Sequence, residues 1–109
     1  MSAVIAYVTT ESVEQAEEIG RALVGERLAA CANILPGMRS IYRWKGAVET
    51  AGETVLIAKT RETLAQALIA RVRELHTYEV PCIVVLPVTD GLPAFLRWID
   101  DETSAPQPQ

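Results

Sequence analysis

The chain has 109 residues, half of them hydrophobic, enough for one domain to bury about two thirds of its unfolded surface without disulfide or metal staples. Ten Lys and Arg against fourteen Asp and Glu leave a net charge of −4 and a pI near 4.9. That balance excludes the broad basic footprint of phosphate-backbone binding, and no nucleic acid partner is expected. Apolar runs such as 55–58 and 83–88 fall far short of the roughly 20 residues that span a bilayer. The start Met1-Ser2-Ala3-Val4 lacks the basic and long apolar stretches of a secretory leader, and Cys31 and Cys82 have no metal-finger spacing. The expectation is a cytoplasmic chain with reduced thiols and no membrane association.

Residues 2–9 form a nearly continuous apolar run with Val, Ile and Tyr, the pattern of a central strand. Ser12 and Gln15 make a capping-box signature, and Val13, Ala16, Ile19, Gly20, Leu23 and Val24 follow at helical spacing to a stop at Gly25. Residues 28–35 read as a strand that Pro36-Gly37 interrupts, as at a bulge, before 38–44 resume it. Lys45-Gly46 turns the chain and 47–59 return, giving an extended hairpin with Tyr42, Trp44 and Lys45 at its tip. Thr63 and Gln66 repeat the cap pattern before a second helix, with Leu64, Ala67, Leu68, Val72 and Leu75 as its inner stripe and its end near His76. Residues 82–88 are a fourth strand. Pro93 suits the first turn of a short third helix whose apolar face is Phe95, Leu96, Trp98 and Ile99. The domain is expected over 1–103, with 104–109 as a flexible tail.

At one constant offset Thr9, Glu11, Gln15, Ala16 and Cys31 recur as Thr60, Glu62, Gln66, Ala67 and Cys82, a two-fold repeat of strand, helix and strand. Two such units joined by a hairpin interleave into an α+β, ferredoxin-like βαββαβ sandwich with strand order 4-1-3-2 and both helices on one face. Both edge strands and the other sheet face are then apolar and uncovered, which implies an oligomer.

Four stretches, Glu26-Arg27-Leu28-Ala29-Ala30-Cys31-Ala32-Asn33-Ile34, Ile41-Tyr42-Arg43-Trp44-Lys45-Gly46, Lys59-Thr60-Arg61 and His76-Thr77-Tyr78-Glu79-Val80-Pro81, resemble in order and spacing the CutA family of divalent-cation tolerance proteins. The resemblance spans roughly residues 3–103. It implies a compact homotrimer of ferredoxin-like subunits, similar in architecture to the PII signalling proteins, and an association with copper and other divalent metals. It implies no enzymatic reaction. Burial of the subunits' sheets against one another would make the trimer heat-resistant. The chain departs from the family pattern at Cys82, where an acidic residue is usual, and at Thr77, where Pro is usual. Val8 and Leu75 stand where some bacterial relatives carry a thiol and a second His.

Cys31 and His76 are the candidate metal ligands, since a thiolate is a soft donor for copper(I) or zinc and imidazole a common second donor. The alternatives are a small buried hydrophobe for Cys31 and, for His76, a cap on helix-end carbonyls. Cys82, on the opposite sheet edge, reaches Cys31 only across a subunit interface. Trp44, Lys59, Tyr78 and Glu79 are the candidate cofactor- or ligand-binding residues of a cleft, with Tyr42 on the same hairpin face. The alternative is that these rings pack on a neighbouring subunit with charges at the rim. Asp90, Asp100, Asp101 and Glu102 read as exposed helix-end acids. No nucleophile elbow, phosphate loop or carboxylate pair appears at motif spacing, so no catalytic residue is assigned. The expectation is a non-enzymatic protein of copper and divalent-cation tolerance, binding metal or a small ligand in intersubunit clefts. Its alternatives are a PII-like sensor without metal and an enzyme using His76 as general acid or base.

Overall fold

Alternation along the strands decides which side chains meet the helices and which do not. The computed structural model describes residues 2–104, so the tail expected at 104–109 lies outside the described residues apart from Ser104. In chain order the elements are β1 (Ala3–Thr10), α1 (Val13–Gly25), β2 (Cys31–Trp44), β3 (Ala47–Arg61), α2 (Ala65–Leu75), β4 (Ile83–Pro87) and α3 (Pro93–Thr103). The strands pair antiparallel in the order β2-β3-β1-β4, as the internal repeat predicts. Ala6 and Val8 of β1 and Leu56 and Ala58 of β3 face α1 and α2, where Ala16, Ile19, Leu23, Leu68 and Val72 close the core.

The opposite face is covered at one end only. There α3 sets Ile99 against Ala3 and Ala30, and the guanidinium of Arg61 donates to Thr103 Oγ1 at 3.0 Å and to the Thr103 carbonyl at 2.9 Å. Arg27 donates to the Glu102 carbonyl, so two cations satisfy the last carbonyls of α3. The face expected to be bare is therefore partly roofed, while Leu35, Val84 and Leu86 remain about half exposed.

Local chemistry accounts for most of the boundaries. Ser12 Oγ accepts from the Gln15 amide at 3.1 Å, as the capping box predicts, but Gln15 Oε1 accepts from Glu11 N and not from Ser12 N. The cap expected at Thr63 does not form. Glu62–Leu64 make a 3-10 turn first, and its carbonyl at Glu62 takes the amide of Ala65, so the orphan donor is satisfied by backbone. Pro36-Gly37 is the bulge, a register shift between Leu35 and Met38 with Gly37 at φ 81. Cys82 and Val88 each make one backbone bond to β1 yet stand outside β4, which is shorter than expected.

Beyond the Thr10–Thr54 pair β1 ends, and the outer parts of β2 and β3 pair only with each other. The molecule is correspondingly long, 53 × 29 × 22 Å. α1 lies close on β2: a Cβ on Gly20 would stand 3.2 Å from the Ala32 Cβ, whereas one on Gly25 meets nothing within 4 Å. Gly20→Val should therefore cost about 1–3 kcal/mol through overpacking, read as a lower urea midpoint, while Gly25→Ala should leave the midpoint unchanged or raise it.

Candidate functional site

A cleft opens where the hairpin leaves the sheet. One wall is the outer half of β2, and the other is the segment that joins α2 to β4. Three of its residues in succession are tied down. His76 Nε2 lies 2.7 Å from the Thr9 carbonyl, and the Tyr78 amide donates to His76 Nδ1 at 3.1 Å. A carbonyl only accepts, so Nε2 carries the ring proton and Nδ1 offers its lone pair to Tyr78. Thr77 Oγ1 accepts from Gln15 Nε2 at 2.8 Å, and the Tyr78 hydroxyl donates to Glu53 Oε2 at 2.9 Å. The rings of His76 and Tyr78 sit 4.6 Å apart at a tilt of 50°.

The open cleft so formed has a volume of about 750 Å³, within the range of small-molecule sites. Trp44, Tyr78 and Glu79 line it together. Tyr42, Arg39, Glu53 and Cys82 join them. Lys59 does not: its ammonium donates to Asn33 Oδ1 at 2.9 Å and lies 5.7 Å from the Phe95 ring centroid, near α3. The cation beside Glu79 is Lys45, at 3.7 Å, which also stands 5.6 Å from the Trp44 ring centroid. Sequence reasoning placed Lys45 only at the hairpin tip and passed over Glu53, whose signal was its register position opposite Met38, just past the bulge.

Cys31 and His76 do not come together within one chain. Cys31 pairs with Lys59 and Lys59 with Ile5, whereas His76 docks on Thr9, four residues further along β1. At about 3.3 Å per residue and about 4.8 Å per strand, the two positions are roughly 16 Å apart. Both imidazole nitrogens already hold hydrogen bonds, and no group of three His, Cys, Asp or Glu suited to a metal occurs among the described residues. Among the described residues of one chain, these donors do not converge on a point where they could hold a divalent ion. His76 also does not cap α2 with its ring; its backbone amide closes the helix on the Val72 carbonyl.

Residues 4–102 match the family model described as CutA1 divalent ion tolerance protein. The chain belongs to the CutA family. The divalent-cation tolerance protein CutA of Thermus thermophilus is 46% identical over 99 residues, covering 91% of this chain and 96% of that one. The chloroplastic CutA of Arabidopsis thaliana is 39% identical over 100 residues, 92% of this chain but 55% of that protein, so the chain spans about half the length of this curated relative. The crystal structure of CutA from Xylella fastidiosa superposes with a TM-score of 0.92 at 40% identity, covering 95% of this chain and 100% of that one. The Archaeoglobus fulgidus structure, described as a periplasmic divalent cation tolerance protein, gives 0.91 at 38% identity, covering 94% and 99%. The family expected from the four motifs and the ferredoxin-like subunit fold expected from the internal repeat both hold.

Burial pushes the Tyr78 phenol well above the ordinary value of 10.0, and the hydrogen bond to Glu53 and the charges of Glu53 and Glu11 add to the rise. The hydroxyl thus remains a donor to Glu53 at any physiological pH. Because the folded state holds this proton more tightly than the unfolded chain, its contribution is complete below pH 10 and is lost as pH climbs past that value. Absorbance titration should show one of the three tyrosines ionising later than the other two, and Glu53→Gln should bring it part of the way back.

Proposed function

We propose that this protein is a non-enzymatic subunit of a homotrimer acting in tolerance of divalent cations, copper among them, and that its cleft binds a metal or small ligand where subunits meet. The incomplete burial of the hairpin carries the reading. Ile41 and Val48 are 74% and 64% exposed on a ribbon paired only with itself, and such a ribbon is marginal without a partner. A neighbouring copy laid on it would also bound the cleft at its root. The family description and the likeness to CutA structures support the cation-tolerance part, and the homotrimer that the sequence motifs' resemblance implies is the ground for three copies. Free thiols at Cys31 and Cys82 suit a reducing compartment, which favours the cytoplasm. No helix among the described residues is long and apolar enough to cross a membrane.

A soft metal would draw on Cys31 of one subunit and His76 of another, with His76 giving up one of its two hydrogen bonds. Both ligands must be deprotonated, so affinity should fall with pH. The second reading, a PII-like small-molecule sensor without metal, is favoured by the aromatic lining of the cleft and by the separation of the thiol from the imidazole. An enzyme with His76 as general acid or base is disfavoured, because both ring nitrogens are occupied. A copper(I) competition titration of the wild type, Cys31→Ser and His76→Ala, with oligomer mass checked for each, separates the readings. Loss of affinity in both variants with the assembly intact supports the shared site; equal affinity in all three removes these residues as ligands.

A further inference from the structure

We propose that the ligand of the cleft is an organic cation, an ammonium group carried on an apolar or aromatic body; this rests on the cleft being a ligand site. Ring faces carry negative charge density and attract ammonium groups, most strongly when carboxylates stand behind them. Here Tyr42, Trp44 and Tyr78 supply rings and Glu53 and Glu79 supply carboxylates to one cavity.

The chain itself shows the preference of this corner. The Lys45 ammonium sits 5.6 Å from the Trp44 ring centroid and 3.7 Å from Glu79 Oε2, between an aromatic face and a carboxylate. In the single chain its side chain is 72% exposed, and an ion pair so open to water contributes little, so a better-fitting cation displaces it readily. Glu53 takes one bond, from the Tyr78 hydroxyl to Oε2, and among the described residues no basic side chain pairs with it. Its second oxygen is left for a donor on the ligand.

Two other ligand classes fit less well. An anion would have Arg39 as its partner but would face two carboxylates in the cavity and Glu11 close enough to act on Tyr78. A bare divalent ion needs several converging oxygen, nitrogen or sulfur donors, and no such cluster exists among the described residues.

The test uses the whole protein with Trp98→Phe, which leaves Trp44 as the only tryptophan of the two. Benzyltrimethylammonium, benzyl alcohol and benzoate are titrated against its emission, with circular dichroism confirming the fold of each variant. The cation should bind roughly tenfold tighter than either control, lose several-fold in Glu79→Gln, and gain several-fold in Lys45→Gln, where the competing ammonium is gone. If benzyl alcohol or benzoate binds as tightly, with Trp44 responding, the cleft stands as a ligand site and the cation assignment falls. If no probe moves Trp44 at millimolar concentration, both fall. Unchanged affinity in both Glu79→Gln and Lys45→Gln also overturns the assignment, since the probe would then sit elsewhere.

Discussion

A four-stranded antiparallel sheet backed by helices on one side satisfies alternate residues of each strand and leaves the others to find cover. In this chain many of the residues left over are apolar, with Asn33, Lys59 and Arg61 among them at the end covered by α3. Ala6, Val8, Leu56 and Ala58 turn to α1 and α2 and are fully buried, while Leu35, Val84 and Leu86 turn the other way and stay about half exposed. The short helix α3 covers one end of that second face, held by Arg61 and Arg27 on its last carbonyls. The hairpin beyond Thr10 and Thr54 raises the demand further, because it has no third strand at all. The surplus apolar surface is the physical ground for the proposed assembly with further copies of the chain.

The same geometry builds the cleft. The hairpin supplies one wall only because it overshoots β1, and the other wall stays in place because His76, Thr77 and Tyr78 are each tied to a different element: β1, α1 and β3. His76 thus acts as a bracket between the strand end and the segment that carries Tyr78. That role needs a neutral ring with one donor and one acceptor, which few other side chains offer in that shape. Its cost is that the imidazole would have to give up one of these bonds to take a metal, while the cleft itself offers rings and carboxylates.

Strand order, helix faces, the bulge at Pro36-Gly37 and the first turn at Pro93 were legible in the sequence, because each depends on periodicity or on local backbone chemistry. The cap at Thr63 was misread because a 3-10 turn solved the same problem with a carbonyl. Of Trp44, Lys59, Tyr78 and Glu79, singled out by residue type, three line the cleft. Lys59 was not in the cleft because its position is decided by register: it pairs with Cys31 and Ile5, at the opposite end of the sheet from Thr9. The partner of His76 lies 67 residues away and that of Tyr78 lies 25 away, separations at which sequence pattern carries no information about contact.

The proposed function depends on burial of the uncovered sheet face and hairpin against other copies of the chain. Sedimentation equilibrium at micromolar concentration measures this directly. A species of about three chain masses, each 11.9 kDa, that persists on dilution is expected; a stable single chain of 11.9 kDa would overturn the proposed assembly.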